Sequence, residues 1–439
     1  MTIKILDLFA GAGGFSLGFE QVRDKSGKKV FELFRAAEID KHSCETLRKR
    51  YGSKKVIEGD LTKFPISKKV IDECKNKVSV IIGGIPCQSF SLIGTRSGFG
   101  KRIEKFRKDE RDNLYEHFRD IVAEVKPNII VIENVRGILS KKDNHNKRII
   151  DKITSDFEIL GYSFENKKKE KWHILNSANY GVPQKRERVI LIGIKKSWKN
   201  KKIPDITPTH FDPSSYNAEE MVKKGLKPYV TVYESIGDLP KVYPKITLTG
   251  VKNKKKVEEK NRKINNGKEN IEHKKSIFLK HLERISQQGN EFFDFVRPNG
   301  HKFIDHHVAR SQQISDIRLF RLMKQGETAK DFAKRMPKAA EKLIKYNLNT
   351  FKDKYRKQKA NDASTTVFAH LEKDGNRFIH PSQARTYTPR EAARIQSFPD
   401  HIKFEGPMSK KFRQIGNAVP PLMSKRIAEE IYNELIIMN

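Results

Sequence analysis

The segment 78–91, V-S-V-I-I-G-G-I-P-C-Q-S-F-S, carries Cys87 in a loop directly after an apolar run. A lone cysteine is usually a small buried hydrophobe. Here Gly83, Gly84 and Pro86 predict a rigid turn beyond a strand, which is where ligands bind in open α/β sheets. This context favours Cys87 as a nucleophile that adds to a substrate carbon.

Glu133 ends a later apolar run, I-I-V-I-E-N-V, and we expect it at the same sheet edge as Cys87. A carboxylate there can bond to a ring nitrogen of a substrate and favour its protonation. Arg186 and Arg188 stand two apart in Q-K-R-E-R-V at the start of a strand, so they would share one face and present two guanidiniums to a carbonyl or phosphate. Taken alone, that peptide is more typical of a solvated charged surface.

A glycine turn is predicted in D-L-F-A-G-A-G-G-F-S-L-G-F-E, between the first strand and a helix. Gly11 and Gly13 would let a nucleotide-like ligand approach the backbone. Ser16 occupies the position where a dinucleotide fingerprint requires glycine, which disfavours a NAD-dependent oxidoreductase. On its own, this turn could also be purely structural.

Two carboxylates strengthen the prediction of a cofactor site. Glu38 ends the second strand run, where an acidic residue can accept hydrogen bonds from ribose hydroxyls. Asp60 follows the third run and could hold an adenine amino group. Each alone is more often a helix cap or turn former. Together, at successive strand ends, they outline a site shaped for adenosine.

Short apolar runs alternate with helical patterns in the first part of the chain, which predicts an α/β fold with a doubly wound, mostly parallel sheet. The predicted strands are 3–9, 34–39, 56–58, 78–82, 128–132 and 189–194. From about 195 to 380 the chain is rich in lysine and asparagine, which indicates a second domain or a large insertion. The pattern of 421–436 predicts a C-terminal helix.

Composition narrows the classes of partner. The chain has 439 residues, and 89 Lys and Arg against 54 Asp and Glu give a formal net charge of +35. Such a charge favours a polyanion, although a lysine-rich codon usage would also produce it. The three cysteines are too few and too scattered for a disulfide framework or a zinc site, and fit a reducing cytosol. The sequence predicts neither a signal peptide nor a membrane span.

The motifs resemble, in order, those of the DNA (cytosine-5)-methyltransferase family of the bacterial restriction-modification type. The matching segments are 9–14, 84–91, 133–135, 184–188, 385–399 and 416–421. Six motifs in the family's order, spanning both ends of the chain, leave little room for chance. Tyr387 stands where the family often has leucine, and Ile39 stands where other members have a larger apolar residue under the adenine.

The resemblance implies the fold of S-adenosylmethionine-dependent methyltransferases. It also implies transfer of the methyl group to carbon 5 of a cytosine that is flipped out of duplex DNA. Cys87 would add to carbon 6 of the base, and Glu133 would hold and protonate nitrogen 3. Arg186 and Arg188 would brace the base carbonyl and the active-site loop. The implied cofactor-binding residues are Phe9, Gly11, Gly13, Glu38, Ile39, Asp60, Pro86 and Asn417, and no metal is implied.

The same resemblance predicts a catalytic and cofactor domain at 1–205, a smaller target-recognition domain at 206–404, and a segment at 405–439 that returns to the catalytic domain. Basic charge in the middle region suits phosphate contacts, which position DNA without reading its sequence. His306, His307 and Arg310 are as open to a structural role as to base contact. The expected partners are double-stranded DNA and a cognate restriction endonuclease. The protein is expected to be a monomer that is associated with the nucleoid in the bacterial cytoplasm.

Two other functions compete with this interpretation. A tRNA cytosine-5 methyltransferase would use the same motifs, but the long interval between Arg188 and Arg385 favours duplex DNA and sequence recognition. A non-catalytic DNA-binding relative would not need to keep Cys87, Glu133 and the arginine pair together.

Overall fold

The computed structural model describes residues 2–85, 114–143, 146–198, 202–247, 253–263, 270–272, 291–298, 303–347, 354–373 and 375–437. They form two compact units. The first unit comprises Met1–Tyr180, Arg186–Thr209 and Ala418–Asn439, and the second comprises Gly181–Lys185 and His210–Asn417. None of the helices in these ranges is both long and apolar enough to span a bilayer.

The first unit is built on a mixed sheet, which has eight strands within the described ranges. The parallel strands are β1 (Ile3–Leu8), β2 (Phe31–Glu38), β3 (Val56–Glu58), β4 (Val80–Gly84) and β5 (Ile129–Val135). Strand β9 (Glu187–Lys195) pairs antiparallel with β5, and β6 (Tyr162–Ser163) and β7 (His173–Asn176) each pair antiparallel with β9, while β8 (Gln184–Lys185) belongs to the second unit. The predicted doubly wound, mostly parallel sheet is confirmed.

The strand order β3-β2-β1-β4-β5-β9-β6, with β7 also paired to β9, reverses direction between β1 and β4. The chain moves outward through β1, β2 and β3, then returns to place β4 on the other side of β1. Register aligns Leu8 with Ala37 and with Gly83, and Gly84 with Glu133. The carboxyl ends of β1, β2, β4 and β5 therefore meet at one edge, where open α/β sheets bind ligands.

Most helices of the first unit bury one apolar side, as in Leu114–Val125, where the buried residues recur every three or four positions, whereas the short helix Gly14–Phe19 is buried at every residue. The helices are α1 (Gly14–Phe19), α2 (Lys41–Tyr51), α3 (Phe64–Cys74), α4 (Leu114–Val125), α5 (Ile149–Ile159) and the C-terminal helix (Pro421–Ile431). The C-terminal helix was predicted to reach residue 436, but it ends at Ile431 and continues as a π-helix over Tyr432–Ile437.

The second unit has short elements around an apolar cluster that includes Phe320 and Phe332, and around a network of buried ion pairs of Arg385 and Arg394, which we call the ionic core. Its strands pair as β8 with β14 (Ser364–Thr365), β10 (His210–Phe211) with β11 (Lys227–Pro228), and β12 (Asn270–Glu272) with β13 (Phe303–Asp305). Its helices are α6 (Ala218–Lys223), α7 (Val232–Ile236), α8 (Lys254–Lys263), α9 (Glu291–Val296), α10 (Ile314–Leu322), α11 (Ala329–Arg335), α12 (Pro337–Leu343), α13 (Pro389–Ile395) and α14 (Met408–Asn417).

Helix α13 is buried along its whole length and is held by charged groups. The guanidinium of Arg385 donates to both carboxylate oxygens of Glu391, at 2.7 and 2.6 Å. Arg394 pairs with Asp400 at 2.6 Å and with Asp238. Because buried charges are stable only when paired and hydrogen-bonded, this network makes the position of α13 specific.

His307 has a structural role in this core. Its side chain is fully buried, with Nδ1 3.0 Å from Thr388 Oγ1 and Nε2 2.7 Å from the carbonyl of Pro240. Burial lowers the pKa of His307 to about 4, so the ring is neutral at neutral pH. The sequence left open whether His307 is structural or contacts bases, and these contacts give it a structural role.

Candidate active site

A glycine turn leaves the end of β1 in an unusual backbone conformation. Phe9, Gly11 and Gly13 have φ values of 56°, 54° and 70°, which lie in the left-handed region. A Cβ added to Gly11 would meet nothing within 4 Å, whereas one on Gly13 would lie 2.7 Å from Leu47 Cδ2. The turn thus packs on α2 at Gly13 and presents open backbone at Gly11, where a ligand can approach closely.

Glu38 links the end of β2 to this turn. Its Oε2 accepts the N–H of Gly11 at 2.7 Å, and its Oε1 accepts the N–H groups of Ile39 and Asp40 at 3.0 and 2.8 Å. Burial raises the pKa of Glu38, although these three hydrogen bonds act against it. The neighbouring Ile39 side chain is 62% exposed, so an apolar surface stands beside the partly buried Glu38.

Asp60 lies at the same edge, because Glu38 pairs with Glu58 and the N–H of Gly59 donates to the carbonyl of Glu38. Its Oδ1 accepts the N–H and the hydroxyl of Thr62, at 2.9 and 2.8 Å. Burial opposes ionisation, but the hydrogen bonds from Thr62 outweigh it and lower the pKa of Asp60. Asp60 is therefore a carboxylate acceptor at neutral pH.

These observations fit the adenosine end of a nucleoside cofactor. The open backbone at Gly11, the exposed apolar side chain of Ile39 and the carboxylate of Asp60 supply a close approach, a nonpolar face and a hydrogen-bond acceptor. With Glu38, which bonds to Gly11, the structure thus brings together four of the predicted residues from three strand ends.

Residues that the sequence did not single out support the turn from below. Arg50 of α2 donates from Nη1 to the carbonyl of Gly13 at 3.3 Å, and its Nη2 lies 3.5 Å from Glu20 Oε2. Glu20 also accepts the N–H of Leu33 at 3.2 Å, so the network reaches β2. No local pattern could have predicted Arg50, since it lies 37 residues from Gly13 in the chain.

Asp7 is a further buried carboxyl group beneath the turn, with 1% of its surface exposed. Burial raises its pKa to about 7, and hydrogen bonds from Ser16 counteract that rise. An acidic residue inside the apolar run of β1 was the signal available in the sequence. Asp7 is poised to be partly protonated at neutral pH.

On the other side of β1, the ends of β4 and β5 carry the predicted reactive groups. Glu133 Oε1 lies 2.7 Å from Nε of Arg188, and both side chains are about nine-tenths buried. A Cβ on Gly84 would stand 3.4 Å from Glu133 Oε2, so glycine lets the carboxylate lie against the end of β4. Cys87, three residues after Gly84, and Pro86 lie outside the described residues.

Arg186 lies between β8 and β9 and is 2% exposed. Its Nη2 donates to the carbonyl of Ala418 at 3.2 Å. Burial and, next, repulsion from Arg188 lower the pKa of Arg186, while attraction to Glu133 partly opposes them. The three predicted charged groups are therefore neighbours. The bond to Ala418 gives Arg186 a bracing role within the first unit, and its contact with a base stays a prediction.

Asn417 ends α14 in the second unit and is exposed. Its predicted place in the cofactor pocket stays a prediction.

The family model for C-5 cytosine-specific DNA methylases matches residues 3–433. The chain belongs to this family. A candidate type II methyltransferase of Oceanobacillus iheyensis is 32% identical, covering 97% of this chain and 94% of its own length. M.NgoFVII, a type II methyltransferase of Neisseria gonorrhoeae, is 30% identical, covering 98% of this chain and 86% of its own.

Solved structures agree on the fold of this C-5 cytosine-specific DNA methylase. The crystal structure of a candidate DNA modification methyltransferase encoded in an Escherichia coli prophage superposes with a TM-score of 0.63, 22% identity and 99% coverage of both chains. The predicted enzyme class, a DNA (cytosine-5)-methyltransferase, is confirmed, and the tRNA alternative is set aside. The family uses S-adenosylmethionine as methyl donor and acts on DNA.

Proposed function

We propose that this DNA (cytosine-5)-methyltransferase methylates carbon 5 of a cytosine swung out of a specific duplex sequence, through a covalent adduct with Cys87. The observation that carries the proposal is the buried pair of Glu133 and Arg188 beside Gly84, three residues before Cys87. The pair lies on β5 and β9, with β5 directly beside β4, the strand that follows the reversal of strand order.

In the proposed mechanism, the Cys87 thiolate adds to carbon 6 of cytosine and forms a carbon–sulfur bond. Glu133 holds nitrogen 3 and supplies a proton there, so the electrons of the 5,6 double bond become available at carbon 5. Arg186 and Arg188 brace the base and the active-site loop. S-Adenosylmethionine, when bound, would supply the electrophilic methyl group that carbon 5 takes, with S-adenosylhomocysteine as the leaving group. Carbon 5 then releases its proton to solvent, the carbon–sulfur bond breaks, and Cys87 and the aromatic ring are restored.

The proposed cofactor contacts follow the edge described above. Glu38 would bind the ribose hydroxyls, Asp60 the adenine amino group, and Ile39 the face of the adenine. Phe9 and the backbone at Gly11 and Gly13 would contact the remainder of the cofactor. Pro86 and Asn417 would complete the pocket.

Target recognition is proposed for residues 206–404, most of which lie in the second unit. The names of the relatives, type II methyltransferases, support a role in restriction-modification beside an endonuclease that shares the site. The same proposal places the protein at the nucleoid in the bacterial cytoplasm, because its substrate would be chromosomal DNA. It also takes the protein to be a monomer.

The decisive variant is Cys87→Ser, which replaces the thiolate with a much weaker nucleophile. We expect no methyl transfer to duplex DNA. The affinity for S-adenosylhomocysteine, measured by calorimetry, should stay within about twofold of wild type, well below the tenfold change that corresponds to about 1.4 kcal/mol. Cys74→Ala, at a buried cysteine of α3, is the control and should keep activity. Undiminished turnover by Cys87→Ser would refute the assignment of Cys87 as the nucleophile.

Bisulfite sequencing of DNA from cells that express the wild-type protein would identify the methylated sequence.

A further inference from the structure

In the second unit, residues 241–247 show a strict alternation of burial. Every second side chain points into the unit, namely Val242, Pro244 and Ile246, and those between them are exposed, namely Lys241, Tyr243 and Lys245. This period of two is typical of an extended chain with one buried face. We call the exposed row of Lys241, Tyr243 and Lys245 the basic ridge.

The end of this segment is held by backbone and side-chain hydrogen bonds. The N–H of Gln312 donates to the carbonyl of Lys245, and the N–H of Thr247 donates to the carbonyl of Gln312, both at 2.9 Å. The amide of Asn261 brackets Ile246: its Oδ1 accepts the Ile246 N–H at 2.8 Å, and its Nδ2 donates to the Ile246 carbonyl at 2.9 Å. The register of the segment is therefore fixed on this side.

The beginning of the segment is fixed by the ionic core. Arg385 Nε donates to the carbonyl of Val242 at 3.1 Å, and the N–H of Val242 donates to Gln383 Oε1 at 3.3 Å. His307 holds the preceding carbonyl, that of Pro240, at 2.7 Å. The side chains of the basic ridge consequently project from a backbone that is anchored at both ends.

The Asn261 bracket also ties α8 to this segment. Residues 254–263 contain six basic and two acidic residues, K-K-K-V-E-E-K-N-R-K. Lys254, Lys255 and Lys256 are exposed. The positive charge of the basic ridge thus continues onto a helix that is attached to it.

We propose that the basic ridge binds the sugar–phosphate backbone of duplex DNA, with Lys241 and Lys245 at two phosphates and the Tyr243 ring against the sugar between them. In an extended chain the two lysines are about 13 Å apart, far enough to reach different phosphates. A large aromatic side chain that is 61% exposed between two lysines suits a polyanion with nonpolar sugar faces. Hydrogen bonds at both ends of the segment hold its backbone in place, and a preorganised backbone positions such contacts precisely. This inference rests on the proposed DNA substrate.

The salt dependence of binding separates phosphate contacts from other effects. Each lysine that neutralises a phosphate contributes about 0.9 to the slope of log K against log salt concentration. The double variant Lys241→Gln and Lys245→Gln should therefore reduce the magnitude of the slope by about 1.8 for a fluorescent duplex. The control, Lys25→Gln with Lys69→Gln, removes the same charge from exposed positions of the first unit and should leave the slope unchanged.

Tyr243 should behave differently because its contact is not ionic. We expect Tyr243→Ala to weaken duplex binding about fivefold to tenfold at constant slope, close to the lower end of the effect known for a base stacked on an aromatic ring. Tyr243→Phe should bind like wild type, since the ring and not the hydroxyl makes the contact.

Melting temperature and S-adenosylhomocysteine binding are measured for each variant. If the double variant is poorly folded, the single variants should each lower the slope by about 0.9. An unchanged slope in well-folded variants would overturn the basic ridge even if methylation is normal. Conversely, failure of the Cys87 test would overturn the chemistry while leaving a changed slope as evidence for the ridge.

Discussion

Glu133 and Arg188 illustrate how strongly single residues at this site depend on each other. Both are largely buried, and their charged atoms are 2.7 Å apart. Removing one partner of a buried pair leaves an uncompensated charge that costs about 3–5 kcal/mol. Variants at either position should therefore lose stability as well as activity. Cys87→Ser is the cleaner test of chemistry because it changes no charge pair.

Arg50 is expected to act as a positioning residue for the cofactor turn. Arg50→Met removes the donor to the Gly13 carbonyl and one partner of Glu20, so the turn gains freedom. We expect KM for S-adenosylmethionine to rise about tenfold, equivalent to about 1.4 kcal/mol, with kcat within about twofold. Calorimetric affinity for S-adenosylhomocysteine should fall in parallel.

The matched control is Lys49→Met, at an exposed position of the same helix, which should bind the cofactor normally. Arg50→Lys should restore part of the affinity because it keeps the charge. A loss of kcat with unchanged KM would contradict a positioning role.

At the scale of elements, the first unit depends on the packing of its C-terminal helix against α1. Ser424 Oγ donates to the carbonyl of Phe15 at 2.6 Å. Gly18 allows the backbones to approach, because an added Cβ would lie 2.4 Å from the Pro421 carbonyl oxygen and 2.6 Å from the Lys425 nitrogen. The glycine at this position is thus required by a close helix contact.

Gly18→Ala should lower the free energy of unfolding by about 1–3 kcal/mol, the usual effect of overpacking. Intrinsic helix propensity acts the other way, since alanine is favoured over glycine by about 1 kcal/mol. A measured loss therefore reports the clash. Urea unfolding measures it, with Ser67→Ala in α3 as a control that should change stability by less than about 0.5 kcal/mol. A stabilised Gly18→Ala protein would show that the two helices can separate at no cost.

At the scale of the molecule, the second unit buries two histidines beside the ion pair of Arg385 and Glu391. Burial lowers the pKa of His307 to about 4 and that of His380 to about 3, although Glu391 attracts the proton in both cases. An unfolded histidine has a pKa of about 6.5. Between these values the unfolded chain binds protons that the folded unit excludes, so its stability is full above pH 6.5 and falls as the pH drops toward 4.

We expect the opening free energy of α13 to decrease by up to about 1.4 kcal/mol per pH unit for each histidine below pH 6.5. Hydrogen exchange of the α13 amides between pH 7.5 and 5 measures this quantity. His380→Gln should lower stability at pH 7.5 and make the pH dependence less steep. His42→Gln, at a half-buried position of α2, should leave it unchanged. Constant stability from pH 7.5 to 5 would contradict neutral, buried histidines.

The sequence by itself determined the sheet and the enzyme family, because their signals are local. The apolar runs of β1 to β5 predict strands, because strands that are covered on both faces of a sheet consist of nearly continuous apolar residues. Glu38, Asp60 and Glu133 each stand at the end of such a run, so parallel pairing alone predicts that they share an edge. Cys87 was predicted from its own loop and remains a prediction.

Only the tertiary structure decided which distant groups meet. Arg50 reaches Gly13 across 37 residues, and the segment 241–247 is fixed by Gln312, Gln383 and Arg385. His307 likewise owes its neutral, structural role to Pro240 and Thr388. Periodicity in a sequence predicts which side chains are buried. It does not predict the hydrogen-bond partner of a buried polar group, because that partner depends on how the elements pack. A buried hydrogen bond is specified by distance and direction in space, and neither is encoded in spacing along the chain.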